Sequence, residues 1–208
     1  MMHIHPDPKR ILILGDGDAG GVRELLKYSN ISSIDWVEID KLVYETCKRY
    51  LPGCPPDLLE DNRISPHWID GIKFLKNTSN RYDIVFVSVT EFCKNNVCES
   101  LYNDKAANLF INVLNTNGIC VQSAGFASPR CKSSLSATMR NFKSVFPFTS
   151  LYTIGLPAFG IDWGFCVGSK THIPSEPSKI RIDQLEFYDK LCHSKMFHIP
   201  NWISRILQ

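Results

Sequence analysis

The segment "GDGDAGG", Gly15 to Gly21, sets three glycines (Gly15, Gly17 and Gly20) at G-x-G-x-x-G spacing and encloses two aspartates, Asp16 and Asp18. That spacing permits a tight turn, close approach of a ligand to the backbone, and close packing of the helix that follows. Alone it is also what a plain glycine turn looks like. Its setting favours a nucleoside site. The turn joins an apolar run to a helical one, and Glu38 ends the next apolar run about where a carboxylate would accept hydrogen bonds from ribose hydroxyls. A dinucleotide would bring its pyrophosphate to the helix N-terminus, where Asp16 and Asp18 repel it. The same carboxylates attract a sulfonium or an ammonium, so the charge pattern points to an S-adenosyl compound rather than NAD. Asp70, beside Gly71 in "IDG", is a third carboxylate after the third apolar run. It either accepts from the exocyclic amine of adenine or caps a helix.

A second stretch raises a chemical question. "RYDIVFVSVTEF", Arg81 to Phe92, is an apolar strand that stops in Ser88, Thr90 and Glu91. In an open α/β sheet that strand end faces the ligand. Ser88 and Glu91 are then either site residues or the mark of a site that has been lost.

The elements that must position these residues follow in order. "RILIL", Arg10 to Leu14, leads through the glycine turn to a helix in "GVRELLKY"; "SIDWVEI", Ser33 to Ile39, leads to a helix in "KLVYETCKRY" that stops at Leu51-Pro52-Gly53. "NRISPHW" and "DIVFV" read as the third and fourth strands, with "DGIKFLK" as the helix between them. A helix through "SLYNDKAANLFINVL" then passes by way of "NTNG" to a fifth strand, "ICVQSA". "SSLSATMRNFKSVF" reads as a helix stopped by Pro147. "TSLYTI" and "WGFCVGS" follow with no full helix between them, as an antiparallel edge hairpin. Strands alternating with helices predict an α/β fold with a mostly parallel sheet. The reading is one domain over 1–208: an N-terminal extension at 1–9, a nucleoside-binding core at 10–170, and a connector with a helical C-terminal tail at 171–208.

Composition narrows the function. In 208 residues, 23 basic against 21 acidic side chains leave a formal charge of +2, with no Lys/Arg run to follow a phosphate backbone, which argues against nucleic acid as a partner. The apolar runs are too short to span a bilayer, and "MMHIHPDPKR" lacks a signal-peptide core, so a cytoplasmic protein without a membrane partner is expected. The eight cysteines form no C-x-x-C pair and the histidines are dispersed, so no metal site is assigned.

Taken together, "HPDPKRILILGDGDAGGVRELLKY", then "VEID", then "IDG" resemble the spermidine synthase family of polyamine aminopropyltransferases, whose pattern runs H-P-x-P-K-x-V-L-I-I-G-G-G-D-G-G, R-E, E-I-D, D-G. "LPAFGIDWGF", Leu156 to Phe165, is similar to a segment of the thermospermine synthase branch, and "HSKMFHIPNW" is similar to the family's C-terminal tail. The resemblance implies a methyltransferase-like Rossmann fold with a seven-stranded sheet. It implies transfer of the aminopropyl group of decarboxylated S-adenosylmethionine to a diamine or polyamine, releasing methylthioadenosine, with that nucleoside as co-substrate and no tightly bound cofactor. By position, Glu38 would bind the ribose, Asp70 the adenine, and Asp18 the aminopropyl ammonium, with Gly15, Asp16, Gly17 and Gly71 completing the nucleoside site. Phe159 and Asp162 would join Asp18 and Glu91 on the acceptor side. Family members are commonly dimers or tetramers, which makes a homodimer an open expectation.

Three departures bear on the acceptor side. The family's fourth strand ends in D-x-x-D, whose first Asp helps deprotonate the attacking amine; Ser88 and Glu91 stand there instead. A serine hydroxyl is neither charged nor appreciably basic, which leaves Glu91 as base or acceptor anchor. The family's N-terminal β-domain is expected to be missing, since the sequence starts almost at the first core strand. The Gln at the end of the fifth strand is displaced, with Gln122 one place before Ser123. Ser88 and the expected lack of the N-terminal domain keep open a nucleoside-binding relative without turnover, and the glycine turn with Glu38 keeps open an S-adenosylmethionine-dependent methyltransferase on the same fold.

Overall fold

The computed structural model describes residues 1–90, 97–130, 132–178 and 185–207. Within them a single sheet has the strand order β3-β2-β1-β4-β5-β7-β6. Strands β1 (Arg10–Gly15), β2 (Ser33–Glu38), β3 (Ile64–Trp68), β4 (Tyr82–Ser88) and β5 (Leu114–Phe126) are parallel, and β6 (Phe148–Leu156) and β7 (Ile161–Ser169) add an antiparallel edge. This is the mostly parallel seven-stranded sheet with an edge hairpin that the alternation of runs predicts.

Side-chain alternation along β1 sends Ile11 and Ile13 to one face and Leu12 and Leu14 to the other. The first face is covered by α1 (Gly20–Leu26) and α2 (Lys41–Tyr50) through Val22, Leu25 and Tyr44. The second is covered by α3 (Gly71–Asn77), α4 (Asp104–Asn112) and α5 (Lys132–Lys143) through Leu75, Phe110 and Leu135. Burial on both faces explains why the central strands read as continuous apolar runs. The tail folds as α6 (Lys190–Phe197) and α7 (Asn201–Ile206), with Ile203 packed into the second face.

Two boundaries differ from the sequence reading. The segment expected as one helix from Ser100 splits into a 3₁₀ helix at Val97–Tyr102 and α4, because the Asn103 side chain accepts the N–H of Ala106 at 2.9 Å and caps α4 there. The fifth strand begins at Leu114 rather than Ile119, since Leu114 already pairs with Tyr82. Neither change moves the site. The chain leaves β1 toward β2 on one side and returns through β3 to β4 on the other, so the crevice at the switch of strand order lies above β1 and β4.

Candidate active site

The glycine turn is built at that crevice. Gly15, Asp16 and Ala19 all have positive φ, at 88°, 68° and 59°. The first is a glycine because a Cβ there would strike the Ser88 carbonyl. The other two carry strain of about 1–2 kcal/mol each, offset by packing and bonding. Ala19 is fully buried, the Asp16 N–H donates to the Ser88 carbonyl at 2.9 Å, and the Trp36 indole N–H holds the Gly15 carbonyl at 2.8 Å. Trp36 is a residue that sequence reasoning passed over, since a buried tryptophan in a strand gives no signal of which carbonyl it will hold.

The turn forms the floor of a cavity of about 360 Å³. Gly15, Asp16, Gly17, Asp18, Glu38, Asp70, Gly71 and Ser88, all named from the sequence, line it together. Glu38 is 9% exposed; its Oε1 accepts the Asp40 N–H at 3.0 Å, and its Oε2 lies 3.2 Å from where a Cβ on Gly17 would be. Glycine at 17 therefore leaves space for that carboxylate to face the cavity. Asp18 is exposed at the mouth and accepts the Gly20 N–H at 3.2 Å. Of the two roles the sequence left open for Asp70, the helix cap is present, its Oδ1 accepting the Lys73 N–H at 2.8 Å at the start of α3, and the residue also lines the cavity. Gly71 has no steric need of glycine, because a Cβ there meets Leu14 and Leu101 only at ordinary contact distance.

Asp16 is placed less simply. Its two carboxylate oxygens accept the N–H groups of Gly21 and Val22 at 3.2 and 3.0 Å, at the start of α1. The protein's own carboxylate thus occupies the donors that a phosphate would use. Burial raises the pKa of Asp16; those two backbone bonds oppose the rise, and the nearby Asp18 and Glu38 charges add to it. Four carboxylates face the cavity, and no Lys, Arg or His is among its described lining residues. Much of the remaining wall is apolar, including Val43 and Cys47 from α2 and Leu101 from the 3₁₀ helix. Sequence patterning did not mark these three as cavity lining: Val43 and Cys47 belong to a helix read by its apolar period, and Leu101 is a buried core residue that also borders the cavity.

The chain resembles known proteins over nearly all its length. The spermine/spermidine synthase domain matches residues 1–177. It belongs to that family. The polyamine aminopropyltransferases of Bacillus mycoides and Alkaliphilus oremlandii are each 32% identical to it, with alignments covering 98% and 100% of this chain and 74% of each relative. A solved spermidine synthase in complex with the transition state analogue AdoDATO superposes with a TM-score of 0.83 at 23% identity, covering 99% of this chain and 71% of that one. The Thermotoga maritima spermidine synthase superposes at 0.81, also at 23% identity. The family's methyltransferase-like Rossmann fold is the fold observed here.

The residues that the sequence named for the acceptor are placed unevenly in this spermine/spermidine synthase family member. Ser88 is exposed at the end of β4, paired in register with Gly15. Glu91 lies outside the described residues. Phe159 and Asp162 sit at the tip of the β6–β7 hairpin, on the same sheet edge but beyond β5; neither lines this cavity. Phe159 stacks on Trp163 at 5.2 Å, and Trp163 is a packing residue whose indole N–H donates to Ser123 Oγ at 2.8 Å. Gln122 is buried and donates to the Leu101 carbonyl at 2.8 Å, and the Tyr102 hydroxyl donates to the Thr90 carbonyl at 2.9 Å. Both hold the cavity wall in place.

Proposed function

We propose that this chain is an aminopropyltransferase of polyamine biosynthesis. It binds decarboxylated S-adenosylmethionine in the acidic cavity, passes the aminopropyl group to an amine of a diamine or polyamine, and releases methylthioadenosine. One observation carries the reading: four carboxylates and no basic side chain among the described residues lining a nucleoside-sized cavity at the switch of strand order. A cationic nucleoside is attracted there and a phosphorylated one repelled. The curated relatives carry the name polyamine aminopropyltransferase, which supports the same reaction.

In this assignment Glu38 takes the ribose hydroxyls, Asp70 the adenine amine, and Asp18 the aminopropyl ammonium, while Val43 and Leu101 flank the adenine ring. Glycines 15, 17 and 71 keep the backbone close to the nucleoside, which is a co-substrate and not a resident cofactor. The acceptor nitrogen attacks the aminopropyl carbon bound to sulfur, the C–S bond breaks, and its electron pair returns to sulfur as a neutral thioether. Ser88 lies at the reacting end, Glu91 anchors the cationic acceptor, and Phe159 and Asp162 meet the outer end of a long one. The reaction is placed in the cytoplasm, with a homodimer as the form to look for.

The test is mass-spectrometric detection of methylthioadenosine after incubating purified protein with decarboxylated S-adenosylmethionine and a pool of diamines and polyamines. Acceptor-dependent product is the expected result, and the mass of the new polyamine identifies the acceptor. Methyl transfer from S-adenosylmethionine, or no product from folded protein, would overturn the proposal.

A further inference from the structure

We propose that Asp16 is the proton acceptor of this reaction, taking the proton from the acceptor ammonium at the junction of two cavities. The inference rests on the aminopropyl-transfer reading and deepens it.

A second cavity of about 230 Å³ lies under α1, on the other side of the glycine turn from the nucleoside cavity. Its walls are mainly apolar, from Met2, Ile13, Leu25, Tyr28 and Phe86, which suits a methylene chain, and its aromatic faces suit ammonium groups. It shares only two described lining residues with the nucleoside cavity, Asp16 and Ser88. A reaction between a molecule in one cavity and a molecule in the other takes place where the two meet, within reach of these side chains.

Their chemistry differs. A polyamine nitrogen is mostly protonated at neutral pH and must lose a proton before its lone pair can attack. Ser88 offers a hydroxyl that is not basic, while Asp16 offers a carboxylate. Each Asp16 oxygen accepts one backbone N–H, and a carboxylate has about four lone-pair sites, so acceptor capacity remains for a substrate N–H. Those bonds also fix the carboxylate against α1. The ammonium proton passes to Asp16, the freed amine attacks the aminopropyl carbon, the C–S bond breaks, and a secondary ammonium and a neutral thioether result. Charge balances, because one carboxylate and one sulfonium are neutralised.

Other titratable groups stand around Asp16 in the two cavities, Tyr28 among them. Asp18 and Glu38 face it from the nucleoside side and oppose its ionisation. Across the second cavity, Glu24 is held by Lys27 at 2.6 Å and Arg23 at 3.0 Å, so its charge is largely matched. Burial, reinforced by the Asp18 and Glu38 charges, raises the Asp16 pKa and makes it a better base near neutral pH.

The test compares Asp16→Asn and Asp16→Gly with the unsubstituted protein, using decarboxylated S-adenosylmethionine and the acceptor that gives product. Glycine accepts the positive φ and asparagine keeps one of the two backbone bonds, so the pair separates loss of the base from loss of the turn. The expected result is a kcat lower by about 10²-fold or more in both, with KM for the nucleoside little changed. In the unsubstituted protein, kcat should fall about tenfold per pH unit on the acid side. Glu91→Gln should raise KM for the acceptor and keep that acid limb. Undiminished kcat in either folded Asp16 variant overturns the inference and leaves the proposed function standing. A flat acid limb, or its loss in Glu91→Gln, does the same even if both Asp16 variants fail to fold. An unsubstituted protein that makes no methylthioadenosine overturns both.

Discussion

Two half-buried aspartates stand at opposite ends of the central β1–β4 pair, and they are put to different uses. At the end where the strands begin, Asp83 accepts the N–H groups of Lys9 and Arg10 at 2.8 and 2.9 Å and the Asn115 amide at 2.7 Å, tying the starts of β1, β4 and β5 together. At the end where they finish, Asp16 accepts two N–H groups from the start of α1, the helix that its own turn leads into. Burial acts on both carboxyls. At Asp83 the bonds from Arg10, Asn115 and Lys9 outweigh it and the pKa is lowered; at Asp16 burial prevails and the neighbouring Asp18 and Glu38 reinforce it. Three donors without carboxylate neighbours make a clamp. Two donors with two carboxylate neighbours make a group poised to take up a proton.

The largest effect expected from breaking this contrast is on the site side. Glu38→Ala should weaken nucleoside binding by about 10- to 100-fold, the worth of roughly 1.5–3 kcal/mol for hydrogen bonds to a charged group, with a smaller loss of stability from the Asp40 N–H it leaves unpaired. Calorimetric titration with methylthioadenosine checks it, and undiminished affinity would remove Glu38 from the ribose role. The matching change on the clamp side is Asp83→Ala. It should cost about 2 kcal/mol of stability, or a melting temperature lower by roughly 4–8 °C for a chain of this size, and leave nucleoside affinity alone. Equal melting curves would mean that the clamp is redundant.

The contrast also has a sign in pH. Asp83 has a lowered folded pKa, so its stabilisation is present above the ordinary aspartate value near 3.8 and is lost as pH falls through the folded value. Asp16 has a raised folded pKa, so its contribution is fully present below 3.8 and is lost as pH rises through the folded value. Melting temperatures of Asp83→Asn should therefore diverge from those of the parent in how they fall on the acid side of 3.8. Those of Asp16→Asn should lose a decline on the other side. If both variants altered the same pH range, the two carboxylates would not be doing different things.

The same division governs what could be read from the sequence. The succession of strands and helices, the glycine turn and the positions of the carboxylates at 18, 38 and 70 were legible because each follows from local rules: apolar alternation, glycine spacing, and a polar residue where a strand must end. Asp16 was legible as a charge but not as a carboxylate bonded into α1, since that depends on Ala19 and Asp16 both adopting positive φ. The second cavity was not legible at all. It is enclosed by Met2, Tyr28 and Phe86, brought together from the N-terminus, the end of α1 and a central strand, and no local pattern links residues so far apart in the chain.

The smallest effect separates two directions of approach for the acceptor. Phe159 is 56% exposed at the hairpin tip, beyond β5, whereas Phe86 lines the cavity under α1. If the acceptor lies under α1, only its outer end reaches the hairpin. Phe159→Ala should then change stability by no more than about 0.5 kcal/mol, as surface substitutions do, and shift the acceptor KM very little. Phe86→Leu, which keeps an apolar wall but removes the ring face, should raise that KM more, because the ring loses its cation–π attraction for an ammonium, on the order of 0.5–1 kcal/mol or somewhat above. Steady-state kinetics with the acceptor varied at saturating nucleoside ranks the two. The reverse ranking would carry the acceptor to the hairpin side, away from Asp16, and would return the proton to Glu91.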